Sequence, residues 1–112
     1  MDRHATAVWK GTLKEGKGIL DTQSGALKDV PYSFKTRFED ESGKSGTNPE
    51  ELLAAAHAGC FAIQLSHFLA ENGTPAEKLD AKAVVTLVPG TGITGSAITL
   101  VGTVPEIGRA HV

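Results

Sequence analysis

A single cysteine, Cys60, stands in the whole chain, so no disulfide can close within it. Runs of like charge are also missing: 11 Lys and Arg are set against 13 Asp and Glu in 112 residues, a formal net charge of −2. That balance supplies no basic stripe for nucleic acid and no cationic patch for an anionic membrane surface. The opening residues, Met1-Asp2-Arg3-His4, lead into a strand-like pattern with no apolar signal segment. A lone thiol and no export signal point to the reducing cytoplasm. The length suits one compact domain and not two, able to bury roughly 60–70% of its unfolded surface.

The residues that are present divide into two grammars. Residues 5–13, ATAVWKGTL, are rich in β-formers and end at the turn KEGKG; residues 17–22 return as a hairpin arm, and SGAL supplies another turn. Residues 30–37 alternate, with Val30, Tyr32 and Phe34 on one side and Ser33, Lys35 and Arg37 on the other, which predicts a third strand. Pro31 restricts that strand to an edge or a start. Residues 39–46, EDESGKSG, read as a mobile loop.

At Asn48 the pattern becomes helical. Asn48 is a good N-cap, Pro49 suits the first helical position, and Glu51 completes an Asn-x-x-Glu capping box. Glu50 and Glu51 also suit the positive end of the helix dipole. From Leu52 to Ala70 there is no formal charge, and Asn72-Gly73 closes the helix with Pro75 just beyond. A helix apolar nearly all round is either a membrane span or the centre of a domain. The alanines, His57, Gln64, Ser66 and His67 make a poor span, so a central core helix is expected. Two strands come next, residues 81–88 and about 96–104, joined by PGTGITG. The order β-β-β-α-β-β implies an α+β fold in which an antiparallel sheet packs on a long central helix.

Gly90-Thr91-Gly92-Ile93-Thr94-Gly95 satisfies G-x-G-x-x-G, but a dinucleotide site needs a helix opening at the third glycine. The run from Ser96, SAITLVGTV, is instead β-branched and alternating, so the segment is expected to be a hairpin loop.

On a helical wheel Glu50, His57, Gln64 and Glu71 fall on one stripe, a heptad apart, with Cys60 on its flank. A buried polar seam costs free energy unless it finds partners, so facing side chains or a subunit contact must satisfy it. Free cysteine in an alanine-rich helix is commonly a small hydrophobe. Zinc is disfavoured: Cys60 and His67 stand ~10 Å apart along the axis, and His57 with Cys60 would supply only two ligands. A reactive thiol at mid-helix needs a nearby cation, and Arg37 and Lys35 are the candidates.

PYSFKTRF followed by GTNPEELLAAAHAGCF resembles the motif set of the OsmC/Ohr family, the osmotically inducible and organic-hydroperoxide-resistance proteins. The likeness runs from about residue 6 to residue 105 and includes GKGILDTQSGAL; His57-Ala58-Gly59-Cys60 is closer to the OsmC branch. The resemblance implies a cytoplasmic thiol peroxidase of oxidative and osmotic stress that reduces organic hydroperoxides, and hydrogen peroxide more weakly, without metal, haem or other cofactor. It implies that Cys60 is the peroxidatic cysteine, that Arg37 stabilises its thiolate, and that Glu50 holds the arginine. A guanidinium–carboxylate fork is chemically suited to that role. It further implies a dithiol reductant such as a lipoylated protein, and an intertwined homodimer with the active site at the subunit interface.

The family's second, resolving cysteine has no counterpart here, nor have the later helix and strand that accompany it. IGRAHV, residues 107–112, fits nothing in the family and is the translation of ATCGGAAGAGCACACGTC, which resembles sequencing-library adapter. Residues 1–106 are therefore expected to be the N-terminal portion of an OsmC-like domain, and 107–112 a non-native tail. The competing expectation is a non-catalytic binding or stress protein that keeps the fold without turnover, since one cysteine cannot resolve its own sulfenic acid as a disulfide.

Overall fold

The computed structural model describes residues 1–105. The elements run β1 (Ala5–Lys10), β2 (Lys17–Thr22), β3 (Val30–Tyr32), one π-helical turn (Lys35–Glu39), α1 (Pro49–Glu71), β4 (Lys78–Val88) and β5 (Gly92–Thr103). The α+β class and the order β-β-β-α-β-β are those expected. The strands form two antiparallel sheets rather than one, β1-β2-β3 and β4-β5. The chain divides into two compact units, Met1–Leu52 and Leu53–Val112. The expectation about residues 107–112 lies outside the described residues.

In the first unit β1 ends at Lys10, short of the predicted Leu13. Gly11 takes φ +103°, and Thr12 then closes a turn, its hydroxyl accepting the Glu15 amide at 3.2 Å and its carbonyl the Gly16 amide at 2.7 Å. The registers set Trp9 opposite Gly18 and Gly18 opposite Tyr32. With no side chain between them, the two rings close over the glycine, centroids 5.4 Å apart. A Cβ at Gly18 would fall 2.3 Å from the Tyr32 ring and 2.7 Å from Trp9, so only glycine fits.

β3 stops at Tyr32, and the strand predicted through Arg37 is not formed. The cause is local. The Ser33 amide donates to the Thr36 hydroxyl at 2.9 Å, and the Thr36 amide donates to the Ser33 hydroxyl at 3.3 Å. This reciprocal bond pulls the backbone into a turn, and hydroxyl side chains of this kind compete well with sheet ladders. Phe34, Lys35 and Arg37 therefore wrap around a turn instead of alternating across a strand. The next loop is also tied down: the Asp40 carboxylate accepts the Ser42 hydroxyl at 2.6 Å, the Ser45 amide at 2.8 Å and the Ser45 hydroxyl at 2.5 Å.

Helix α1 begins as its sequence indicates. Asn48 Oδ1 accepts the Glu51 amide at 2.8 Å, while the Glu51 carboxylate accepts the Thr47 hydroxyl at 2.7 Å. Only half of the expected capping box is thus made. The helix ends in a Schellman arrangement: Thr74 N–H donates to Leu69 C=O at 2.9 Å and Gly73 N–H to Ala70 C=O at 3.1 Å, with Gly73 at φ +78°.

In the second unit the β4–β5 ladder is longer than predicted at both proximal ends, and Thr94 is an extra residue where the register shifts after Thr86. The glycine-rich segment is a hairpin turn, as expected, although β5 already starts at Gly92. Along β4, Leu79, Ala81, Ala83, Val85 and Leu87 are half-buried and alternate with exposed residues.

Among the described residues no hydrophobic side chain is buried. On α1 the half-buried positions include Ala54, Ala58, Ala62, Leu65 and Leu69, a narrow stripe, whereas Phe61, Phe68 and Ile63 (72% exposed) are open. The long central helix of the expected α+β fold is present, but among the described residues most of its apolar surface is uncovered. By length and composition alone, α1 would suffice to cross a membrane.

Candidate active site

The three residues singled out from the sequence sit on two elements. Arg37 lies on the π-helical turn, Glu50 in the first turn of α1, and Cys60 at mid-helix. Arg37 and Glu50 meet: Arg37 Nε donates to Glu50 Oε1 at 3.1 Å, and Nη2 donates to the same oxygen at 2.9 Å. Glu50 is 6% exposed, the one buried charged residue among those described. Burying a carboxylate costs several kcal/mol unless a charge and hydrogen bonds compensate, and Arg37 supplies both. The compensation is incomplete, because Glu50 Oε2 is buried with no donor among the described residues. Arg37 keeps one face available, its side chain 37% exposed, and its guanidinium lies 5.1 Å from the centroid of Phe38.

Beside this pair is a pocket of about 260 Å³ lined by Trp9, Leu13, Tyr32, Ser33, Phe34, Arg37 and Phe38. Its wall arises from the local folding already described. Gly18 lets Trp9 and Tyr32 touch, and the Ser33–Thr36 turn brings the Phe34 and Phe38 rings to 4.9 Å. The result is a mostly aromatic recess holding one fixed positive charge. No single strand pattern could have indicated it, since its members come from β1, β3 and the π-helical turn.

Cys60 is a free thiol with an exposed side chain. One turn before it, His57 Nδ1 lies 2.5 Å from the Ser96 hydroxyl on β5. The polar stripe predicted on α1 thus finds partners at three of its four places: Glu50 with Arg37, His57 with Ser96, and Glu71 with His67 at 3.4 Å. Ser96 carried no signal in the sequence beyond being a serine on a strand. Among the described residues no group of three His, Cys, Asp or Glu side chains is placed to hold a metal.

Asn48 does more than cap. While Oδ1 accepts the Glu51 amide, Nδ2 donates to the Thr36 carbonyl at 2.9 Å.

Comparison with known proteins places the chain in a family. The OsmC-like protein family matches residues 41–108. Peroxiredoxin OsmC of Escherichia coli K12 and that of Shigella flexneri are each 51% identical to the chain over 81 residues, which is 72% of this chain and 54% of theirs. The chain thus spans about half the length of these curated relatives. Among solved structures, the organic hydroperoxide resistance protein OhrB of Bacillus subtilis aligns over 96% of this chain and 76% of its own, with TM-score 0.51 and 23% identity. An organic hydroperoxide resistance protein OsmC from Legionella pneumophila aligns over 96% and 74%, with TM-score 0.57 and 21% identity. At such identities these two are likenesses of fold, and the sequence match carries the relationship. The chain belongs to the OsmC-like protein family.

Proposed function

We propose that this protein is a thiol-dependent peroxidase that reduces organic hydroperoxides, and hydrogen peroxide more weakly, as part of oxidative and osmotic stress defence. The observation that carries the reading is the pairing of the buried Glu50 carboxylate with the partly exposed Arg37 guanidinium at the rim of an aromatic pocket. The Cys60 thiolate attacks the terminal oxygen of R–O–O–H. The S–O bond forms as the O–O bond breaks, sulfur loses two electrons, and the alkoxide leaves and takes up a proton as R–OH. Cys60 is left as a sulfenic acid. In the family's mechanism a second cysteine condenses with it to a disulfide, releasing water, and a dithiol such as a lipoylated protein reduces that disulfide. This chain, whose one cysteine is Cys60, is expected to react once and not turn over. Arg37 stabilises the thiolate and the developing alkoxide, Glu50 holds Arg37, and the aromatic recess takes the organic tail. No metal or haem takes part.

In this reading the Arg37–Glu50 pair of one copy acts on the Cys60 of a second copy, in a soluble, cytoplasmic homodimer. The 51% identity to relatives named peroxiredoxin supports the reading.

Loss of the Cys60 thiol is followed by intact mass after one equivalent of peroxide. Cumene hydroperoxide should add one oxygen faster than hydrogen peroxide does, and Arg37→Ala should slow both about tenfold or more, the factor of a charge-assisted contact. Equal rates for the two peroxides together with an indifferent Arg37→Ala would overturn the proposal.

A further inference from the structure

We infer that Asn48 is a positioning residue for Arg37, coupling the cap of α1 to the turn that carries the arginine. Its amide is used at both ends. Oδ1 accepts the Glu51 amide, one residue after Glu50, and Nδ2 donates to the Thr36 carbonyl, one residue before Arg37. One side chain thus ties together the two backbone segments from which the ion pair projects. Otherwise, among the described residues, Arg37 and Glu50 are joined by their own side chains and by the intervening loop.

Two observations show why the pair needs such a tie. Both guanidinium N–H groups fall on Oε1 while Oε2 has no donor among the described residues, so the contact is not the two-oxygen fork that fixes both partners in one plane. Arg37 also stands on a single π-helical turn with no buried residue to hold it. Capping alone does not call for asparagine, because serine and aspartate cap equally well. Asparagine adds an N–H₂ donor beyond the accepting oxygen, which neither of the others has.

The test separates the cap from the tie, and its thiol readout rests on the peroxidase reading above. Asn48→Ser keeps a capping oxygen and loses the Thr36 bond, so its melting temperature should fall by no more than the roughly 4–8 °C of one ordinary hydrogen bond. Alkylation of Cys60 by iodoacetamide should slow about threefold to tenfold near pH 7, the factor of one ordinary hydrogen bond. In an Arg37→Ala background the same substitution should have no further effect. Independently of the thiol, the Arg37 Nε–H resonance should exchange slowly in wild type and fast in Asn48→Ser. Asn48→Asp, which caps at least as well, should give the same loss of Nε–H protection.

An unchanged Nε–H signal in both variants overturns the inference. So does equal slowing of alkylation with and without Arg37. If Arg37→Ala alone leaves alkylation unchanged, the peroxidase reading fails, and the Nε–H signal by itself decides the role of Asn48.

Discussion

Asp40 organises its loop by accepting three hydrogen bonds, and these hold its carboxyl well below the usual carboxylate range, the Ser42 hydroxyl contributing most and Ser45 next through its hydroxyl and amide. A carboxylate depressed in the folded state adds stability that is complete above its unfolded value of ~3.9 and fades as the pH falls below it. The loop should therefore stay closed at neutral pH and loosen only in strong acid. Ser42→Ala should raise the Asp40 titration toward the ordinary range, followed by NMR of its carboxyl carbon, and an unmoved titration would show that Ser42 is not the main donor. The residues responsible were visible as Asp-x-Ser-x-x-Ser, yet they read as a mobile loop because polar, glycine-containing stretches resemble disorder until a particular acceptor is assigned. Arg37 and Glu50 were legible for a different reason. Their pairing came from resemblance, since residues 13 apart on a supposed strand and a helix give no local cue.

Helix α1 was the most legible element because both ends carry their own punctuation. Asn48 and Pro49 start it and Gly73 stops it, close to where the sequence alone places them. Gly73 holds φ +78°, which a residue with a Cβ adopts only at a cost of about 1 kcal/mol or more. Gly73→Ala should therefore lower the urea midpoint by that amount of stability, with an unchanged m-value. A midpoint equal to wild type would mean that the Schellman end contributes nothing. The strand predicted at 30–37 failed for a physical reason of the same kind. Val-x-Tyr-x-Phe alternation argued for a ladder, but Ser33 and Thr36 bond each other across three residues, and a short-range bond formed without chain closure prevails over a weak edge strand. The glycine-rich hairpin was read correctly because the residues after it alternate, even though its strand begins earlier than the β-branched run suggests.

At the scale of the molecule, a single chain leaves Phe61, Ile63 and Phe68 of α1 open together with Val84 and Val101 of the β4–β5 hairpin. Large apolar side chains left exposed in this number mark association or aggregation when they face water. The sequence stated this problem without solving it: the stretch from Leu52 to Ala70 carries no formal charge and calls for cover, and local pattern does not say by what. Sedimentation at micromolar concentration should show a dimer or larger species, and Ile63→Glu should shift it toward monomer while increasing binding of an apolar dye. A well-folded wild-type monomer that binds no dye would refute a second copy as the missing cover.

The meeting of Trp9 and Tyr32 over Gly18 makes the first unit its own optical instrument. These are the chain's only tryptophan and only tyrosine, and their rings stand 5.4 Å apart at the wall of the pocket that holds Arg37. At that separation the phenol passes its excitation to the indole almost completely, so the native protein should emit as tryptophan alone. Tyrosine emission then appears only when β1 and β3 part company. The indole in turn senses whatever enters the recess, and a ligand without any colour of its own can be followed there with no label attached.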